Sequence, residues 1–284
     1  MGTYTNPIIT ATGEASPVNI FQTVNWNPQD GTVHPIATRA FLPDGRVFYW
    51  GRMYSATAIG PNKLAQAAAP IANHTTQTGT LTGTTVVTGV DASTTITATL
   101  GATAGIEAQY QGGFLNIESA TTGAGQQWRI GYHAWVASSG VLTFSTNDPV
   151  QVATSGTTTW SLKENPWAGL IINPATTVTG IAAGVVNTSW AAAATATVAT
   201  PGYIQTAVTP TYSQPNYGWI QTWGQCSVLA DTANNVVGTA IQGAAAATAG
   251  AVTLNTGVIG QIGWAEQTIS TDNIYLQAFL TIAP

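Results

Sequence analysis

Apolar and polar residues alternate through the middle of the chain. In residues 94–100 the apolar side chains are Ile96, Ala98 and Leu100, and residues 127–134 repeat the alternation. A period of two is typical of half-buried antiparallel strands. Short apolar pairs continue the pattern, with glycine-rich turns between them, which favours a sandwich or barrel. We therefore predict a middle β domain over residues 75–165.

The phase of this alternation also predicts which side chains are buried. Trp128 and Trp160 fall on the apolar phase of their strands, so we expect both in the core. His133 falls on the opposite phase, beside Arg129, and is expected on a solvated surface. The apolar phase of residues 127–134 consists of Trp128, Ile130, Tyr132 and Ala134.

Residues 31–74 contain a predicted hairpin and a predicted helix. The runs 34–42 and 46–54 flank Pro-Asp-Gly at 43–45, where proline sets the first turn dihedral and glycine tolerates the left-handed one. Residues 61–69 begin with proline, are rich in alanine and are followed by a second proline, which is the pattern of a short helix. We expect the whole segment to be part of a base domain.

Prolines divide the rest of the chain. Three of them in residues 1–30 prevent a helix and predict an extended N-terminal arm. Five in residues 166–218 predict a connector whose strands are short or peripheral. Residues 219–284 return to apolar runs and predict a C-terminal β domain. If the middle domain is an insertion, residues 1–74 and 166–284 form a single base domain.

The predicted fold class is therefore all-β. It consists of two or more small antiparallel β-sandwich or barrel domains, an extended N-terminal arm and at most one short helix. The apolar content of 44% is sufficient to fill such cores.

The amino-acid composition predicts a protein surface with unusually few charged side chains. Charged residues (6 Lys and Arg, 11 Asp and Glu) make up 6% of the 284 residues, whereas an ordinary soluble domain has about 25%. Charge is depleted at the buried centres of lasting interfaces, so we expect a component of a protein assembly. A net charge of −5 and scattered basic residues argue against a nucleic-acid partner.

We also expect no membrane or secretory segment. Residues 1–6 lack the basic and apolar regions of a secretory signal. The most apolar long window, residues 181–200, is interrupted by Asn, Thr and Ser and falls short of a membrane span. Cys226 is the single cysteine, which excludes an internal disulfide and predicts a small core residue.

The sequence contains no familiar catalytic or metal-binding motif. The serine elbow, the zinc-binding histidine pair, the phosphate loop and the calcium-loop spacing are all missing. His133 is the best candidate for a base, but its strand phase favours a surface position, and His34 and His74 have no partner in the local sequence. We predict no catalytic residue, no metal and no cofactor, and hence no enzyme.

Aromatic and basic residues provide the candidate binding surface. Four of the six basic residues cluster around the hairpin and the helix candidate. Two interpretations of this cluster remain: a solvated face, or a surface that contacts an acidic partner. The ten tryptophans can pack in cores, anchor an interface or form a stacking platform for sugars. The predicted interface residues are Trp26, Arg39, Arg46, Trp50, Arg52 and Lys63.

Turn-and-strand segments along most of the chain carry a family resemblance. They are residues 44–50 (DGRVFYW), 60–64 (GPNKL), 70–74 (PIANH), 99–104, 123–130, 217–224 (YGWIQTWG), 228–231, 258–260 and 274–280 (IYLQAFL). Together they resemble the capsid decoration, or cement, proteins of tailed phages, and the middle segments fit the longer members of that group.

The resemblance implies a non-enzymatic virion protein on the outer surface of the capsid. Such a protein binds a phage head as a homotrimer and stabilises the lattice by bridging subunits of the major capsid protein. The alternative function is a receptor- or carbohydrate-binding β protein of a phage tail or a bacterial surface. A major shell subunit is disfavoured, because such subunits need long helices and the sequence offers one short candidate.

Overall fold

The structure is a computed structural model that divides the chain into two units. Unit 1 contains Ala69–Ala168, and unit 2 is formed by the described residues before Ala69 and by Gly169–Pro284. The described residues are 8–10, 23–25, 34–53, 55, 57–79, 81, 95–119, 123–146, 148, 150, 158–192, 194–197, 211–214, 216–231, 235–243, 248–255, 257 and 260–284.

The described secondary structure is almost wholly β strand. The first ten strands are β1 (Ile8–Thr10), β2 (Thr23–Asn25), β3 (Arg39–Phe41), β4 (Val47–Met53), β5 (Lys63–Ala67), β6 (Gln77–Gly79), β7 (Thr95–Thr99), β8 (Phe114–Ser119), β9 (Gln127–Arg129) and β10 (Val141–Ser145). The other ten are β11 (Thr158–Lys163), β12 (Leu170–Ile172), β13 (Ala182–Val186), β14 (Ala194–Thr197), β15 (Thr211–Gln214), β16 (Asn216–Ala230), β17 (Ala240–Gly243), β18 (Val252–Leu254), β19 (Gln261–Ala265) and β20 (Ile274–Thr281). A single turn of 3-10 helix at Ala72–His74 is the one helical element in the described ranges. The predicted all-β fold class is confirmed.

Unit 2 is built around one 12-stranded sheet that closes on itself twice. One closed circuit runs through β16, β4, β12, β5 and β13, and the other through β16, β18, β17, β19 and β20. The 15 residues of β16 belong to both circuits. Closure leaves few strand edges unpaired within each circuit. Closed β barrels avoid unwanted pairing with other chains in the same way.

The core of the second circuit follows from alternation along its strands. In β20 the buried residues are Leu276, Ala278 and Leu280, and in β16 the buried phase is Cys226, Val228 and Ala230. These six side chains share one cluster with residues of β17, β18 and β19. Cys226 is therefore a core residue, as predicted.

The predicted hairpin is confirmed as β3 and β4. Arg39 pairs with Tyr49 and Phe41 pairs with Val47, and Gly45 has a φ of 85° in the turn between the strands. The turn is closed by a 3.0 Å bond from the Leu42 N–H to the Arg46 carbonyl.

The predicted helix over residues 61–69 is wrong, because this segment forms strand β5. Leu64, Ala65 and Gln66 are buried, and β5 pairs on one side with β12 and on the other with β13. Pairing on both edges satisfies the backbone of this strand, and this tertiary pairing overrides the helix propensity of its alanines.

The predicted connector and the predicted N-terminal arm both contribute strands to the main sheet. The connector of residues 166–218 is predicted to have short or peripheral strands; β12 and β13 are short, with 3 and 5 residues, and each lies between two neighbours in the sheet. Both strands run between the prolines, so no ladder bond is lost. The described parts of the predicted N-terminal arm are also sheet strands, because β1 pairs with β3 and β2 pairs with β16.

Unit 1 contains a four-stranded sheet, in the order β6, β11, β8 and β9, and a two-stranded sheet of β7 and β10. Both sheets contribute apolar side chains to one core. The largest residues of this core are Trp128, Trp160 and Phe144 from the sheets and Tyr110 from the turn before β8. Trp128 and Trp160 are therefore in the core, as their strand phase predicts.

Candidate functional site

Two of the predicted interface residues lie on the hairpin surface. The Arg46 side chain donates to the Asp44 carboxylate at 2.7 Å, and its backbone N–H donates to the same carboxylate at 3.1 Å. Partial burial opposes ionisation of Asp44, but these bonds hold the pKa of its carboxyl below the ordinary value. Arg39 stacks over the Phe41 ring, 4.0 Å from its centroid.

The other predicted interface residues that the structure describes are not exposed on the hairpin surface with Arg39 and Arg46. Trp50 and Arg52 are 0% and 4% exposed, because both lie on the buried phase of β4 with Phe48. Lys63 is half-buried on β5, and Trp26 lies outside the described residues. The basic residues are close in sequence, but Arg52 is buried and Lys63 is half-buried, so the four do not form a single exposed basic surface.

The described tryptophans are mostly core residues. Trp50, Trp190 and Trp219 are fully buried in unit 2, and the rings of Trp50 and Trp219 meet edge to face at 5.2 Å. Trp264 is the one strongly exposed tryptophan in the described ranges, at 45%. The structure therefore presents no row of exposed tryptophans among these residues.

A buried chain of polar rings crosses the core of unit 1. His74 and His133 are 0% and 1% exposed, so the predicted surface position of His133 is wrong. The cause is a change of phase at Gly131, whose N–H donates to the Ser145 carbonyl at 2.6 Å. Beyond this point Tyr132 is exposed and His133 points inward.

Tyr110 lies between the two histidines. Its hydroxyl is hydrogen-bonded to His74 Nδ1, and its backbone N–H donates to His133 Nε2 at 3.0 Å. Burial, together with the nearby Glu164 carboxylate, raises the pKa of the Tyr110 phenol. Because Tyr110 is 1% exposed, this chain of rings is closed to a substrate and acts in packing.

Strands β7 and β10 form an uncharged sheet face that the sequence does not predict. The outward side chains of β7 and β10 form direct pairs: Val141 with Thr99, Thr143 with Thr97, and Ser145 with Thr95. We call these six residues the threonine face. The strands were predicted from their period, but sequence alone does not show that β7 and β10 pair only with each other in the described sheet.

The part of the chain that the structure describes contains few other groups that could react or bind a metal. No three His, Cys, Asp or Glu residues there lie close enough to hold a metal ion. Burial raises the pKa of the Cys226 thiol to about 12, which keeps it protonated and unreactive at neutral pH. None of the described helical residues forms a segment long and apolar enough to cross a membrane.

Comparison of the chain with family models, with curated proteins and with solved structures finds no match.

Proposed function

We propose that this chain is a non-enzymatic structural protein of a virus particle. It binds the outer surface of a tailed-phage head as a homotrimer, and it stabilises the lattice by bridging subunits of the major capsid protein. The low charge of the chain and the resemblance of its turn-and-strand segments to decoration proteins support this proposal.

The threonine face is the observation that carries it. Natural edge strands carry charges, prolines or bulges that prevent pairing with other chains. β7 (TITAT) and β10 (VLTFS) have neither charge nor proline, and their register runs without a bulge. The six outward side chains of this face are uncharged. An uncharged sheet face is suited to lasting contact with another protein.

Bridging gives this contact its strength. A specific interface buries on the order of 1,000 Å², and a six-residue face is a fraction of that area. Attachment through several sites raises avidity by about 10² to 10⁴ without new chemistry. A homotrimer with three such faces therefore holds the lattice more firmly than one face does alone.

The test is reconstitution on heads of the virus that encodes the chain, stripped of this protein. Purified protein is added, and bound copies are counted by electron cryomicroscopy. Hundreds of copies at symmetric positions on the shell are expected. No shell density would contradict the proposal.

A charge placed in the threonine face sharpens this test. Thr143→Lys puts an unpaired ammonium at the proposed contact and is expected to lower shell affinity on the order of tenfold or more. Thr271→Lys places the same charge on an exposed residue of unit 2 and should leave occupancy unchanged. Equal occupancy for both variants would exclude the threonine face as the contact.

The alternative function, a receptor- or carbohydrate-binding β protein of a phage tail or a bacterial surface, predicts a different result. In the same reconstitution it would give no copies on the shell, and with whole particles it would give a few copies at the tail. The tryptophan platform on which it was based has one exposed member among the described residues, Trp264.

A further inference from the structure

Unit 2 contains an open cavity of about 470 Å³ with an unusually polar lining. Ligand pockets of a few hundred Å³ are generally lined mostly by apolar side chains. Here six of the lining residues carry a side-chain amide or hydroxyl: Asn62, Asn187, Gln221, Gln225, Ser227 and Gln277. We call this cavity the amide pocket.

Part of the lining is held rigidly. Gln221 is 1% exposed, and its Nε2 donates to the carbonyls of Trp223 and Gln225 at 3.2 and 2.7 Å. Its Oε1 accepts a bond from Asn187 Nδ2 at 3.2 Å. Asn187 Oδ1 is buried without a partner. The floor of the amide pocket is thus pre-organised.

The charges at the amide pocket cancel. Asp44 and Arg46 both line it, and they are paired with each other at 2.7 Å. Cys226 also lines it and is protonated. An anion or a cation would therefore have to break an existing ion pair to gain a counter-charge. A neutral ligand with many hydroxyls needs no counter-charge, because hydroxyls donate and accept hydrogen bonds as amides do.

Aromatic rings lie directly beside the amide pocket. Phe279 pairs across the sheet with Gln225 and is two residues from Gln277, so it shares their face. The Trp223 ring contacts the Phe279 ring edge to face at 5.8 Å, and the exposed Trp264 pairs with Phe279 on its other side. An apolar platform next to a polar pocket matches the two kinds of surface on a sugar ring.

From this combination we infer that the amide pocket is a binding site for a neutral saccharide. Its hydroxyls bind Gln225, Ser227 and Gln277, and its apolar face lies against the Phe279 ring. This function is independent of shell attachment, which we place on unit 1.

The inference is tested with the full-length protein on a glycan array that carries neutral and acidic glycans. Methyl glycosides of glucose, galactose and N-acetylglucosamine, with sialic acid as the anionic comparison, are then titrated by saturation-transfer NMR. We expect binding of neutral glycans and none of sialic acid. An array without any neutral hit, or a preference for acidic glycans, would overturn the inference.

Two exposed glutamines supply the matched variants. The double variant Gln225→Ala with Gln277→Ala removes pocket amides outside the core and is expected to weaken binding on the order of tenfold. Gln267→Ala removes an exposed glutamine outside the pocket and should bind like the unaltered chain. Unchanged urea midpoints show that the variants are folded. Full binding by the double variant would place the sugar elsewhere.

Discussion

At the scale of single residues, His74 and His133 are each fixed in one neutral tautomer inside unit 1. His74 Nε2 lies 2.9 Å from the Thr103 carbonyl, so this nitrogen carries the proton and Nδ1 accepts the Tyr110 hydroxyl. His133 Nε2 accepts the Tyr110 N–H, so its Nδ1 donates to the Ala134 carbonyl at 2.9 Å. Protonation of either ring would break one of these bonds.

The tautomer of His74 predicts acid sensitivity of unit 1. Burial lowers the pKa of His74 below its ordinary 6.5, so the unfolded chain binds a proton that the folded chain does not. Stability is therefore complete above pH 6.5 and falls as the pH drops below it. We expect His74→Gln to reduce this slope by up to about 1.4 kcal/mol per pH unit, which is one proton.

The measurement is urea unfolding at pH 7.5 and 5, read by pulsed hydrogen exchange in peptides of unit 1. His34 in unit 2 also has a pKa lowered by burial, so His34→Gln is the matched control and should leave the slope of unit 1 unchanged. An unaltered slope in His74→Gln would show that another group titrates.

The sequence could predict some of these positions but not others. Trp128 and Trp160 obey the strand period, and their burial follows from it. His133 does not, because the chain leaves the ladder at Gly131 and the phase changes by one residue. The amide pocket was not predictable, since Asn62, Asn187 and Gln277 meet only through pairing of distant strands.

At the scale of elements, strand β16 carries the architecture of unit 2. Its first half was seen in the sequence only as an apolar run, because residues 216–222 are buried on both faces and lack alternation. The hairpin of β3 and β4 was predictable, since its turn chemistry is local. Strand β5 was not, because its pairing with β12 and β13 comes from the distant segment that resembled a connector.

Gly218 provides a test of how tightly β16 is packed. A Cβ at this position would lie 2.7 to 3.0 Å from atoms of the Trp190 ring, which is fully buried. Gly218→Ala is expected to destabilise unit 2 by about 1–3 kcal/mol through overpacking. Its φ is not positive, so the effect is one of packing and not of backbone strain.

Urea unfolding checks this value. Gly260→Ala is the control, because a Cβ there has no atom within 4 Å, and its cost should stay within about 0.5 kcal/mol. A Gly218→Ala midpoint equal to that of Gly260→Ala would show that Trp190 can shift.

At the scale of the whole molecule, unit 1 interrupts unit 2 between two residues that are already joined. The Ala68 N–H donates to the Gly169 carbonyl at 2.8 Å, so the two ends of unit 2 meet where unit 1 is inserted. Each unit has its own buried core cluster. The proline pattern is consistent with insertion of the middle domain into a base domain. The closeness of Ala68 and Gly169, in contrast, is visible only in the structure.

This geometry predicts that the units can be separated. Replacing Ala69–Ala168 by a short glycine linker should leave the urea midpoint of the β16 and β20 peptides unchanged, because closing adjacent ends costs little chain entropy. The excised fragment should keep slow hydrogen exchange around Trp128 and Trp160. Loss of protection in either piece would mean that its core needs the other unit. If both fold, the fragment with the threonine face should bind shells and the remainder should bind neutral glycans, so that each proposal can fail without the other.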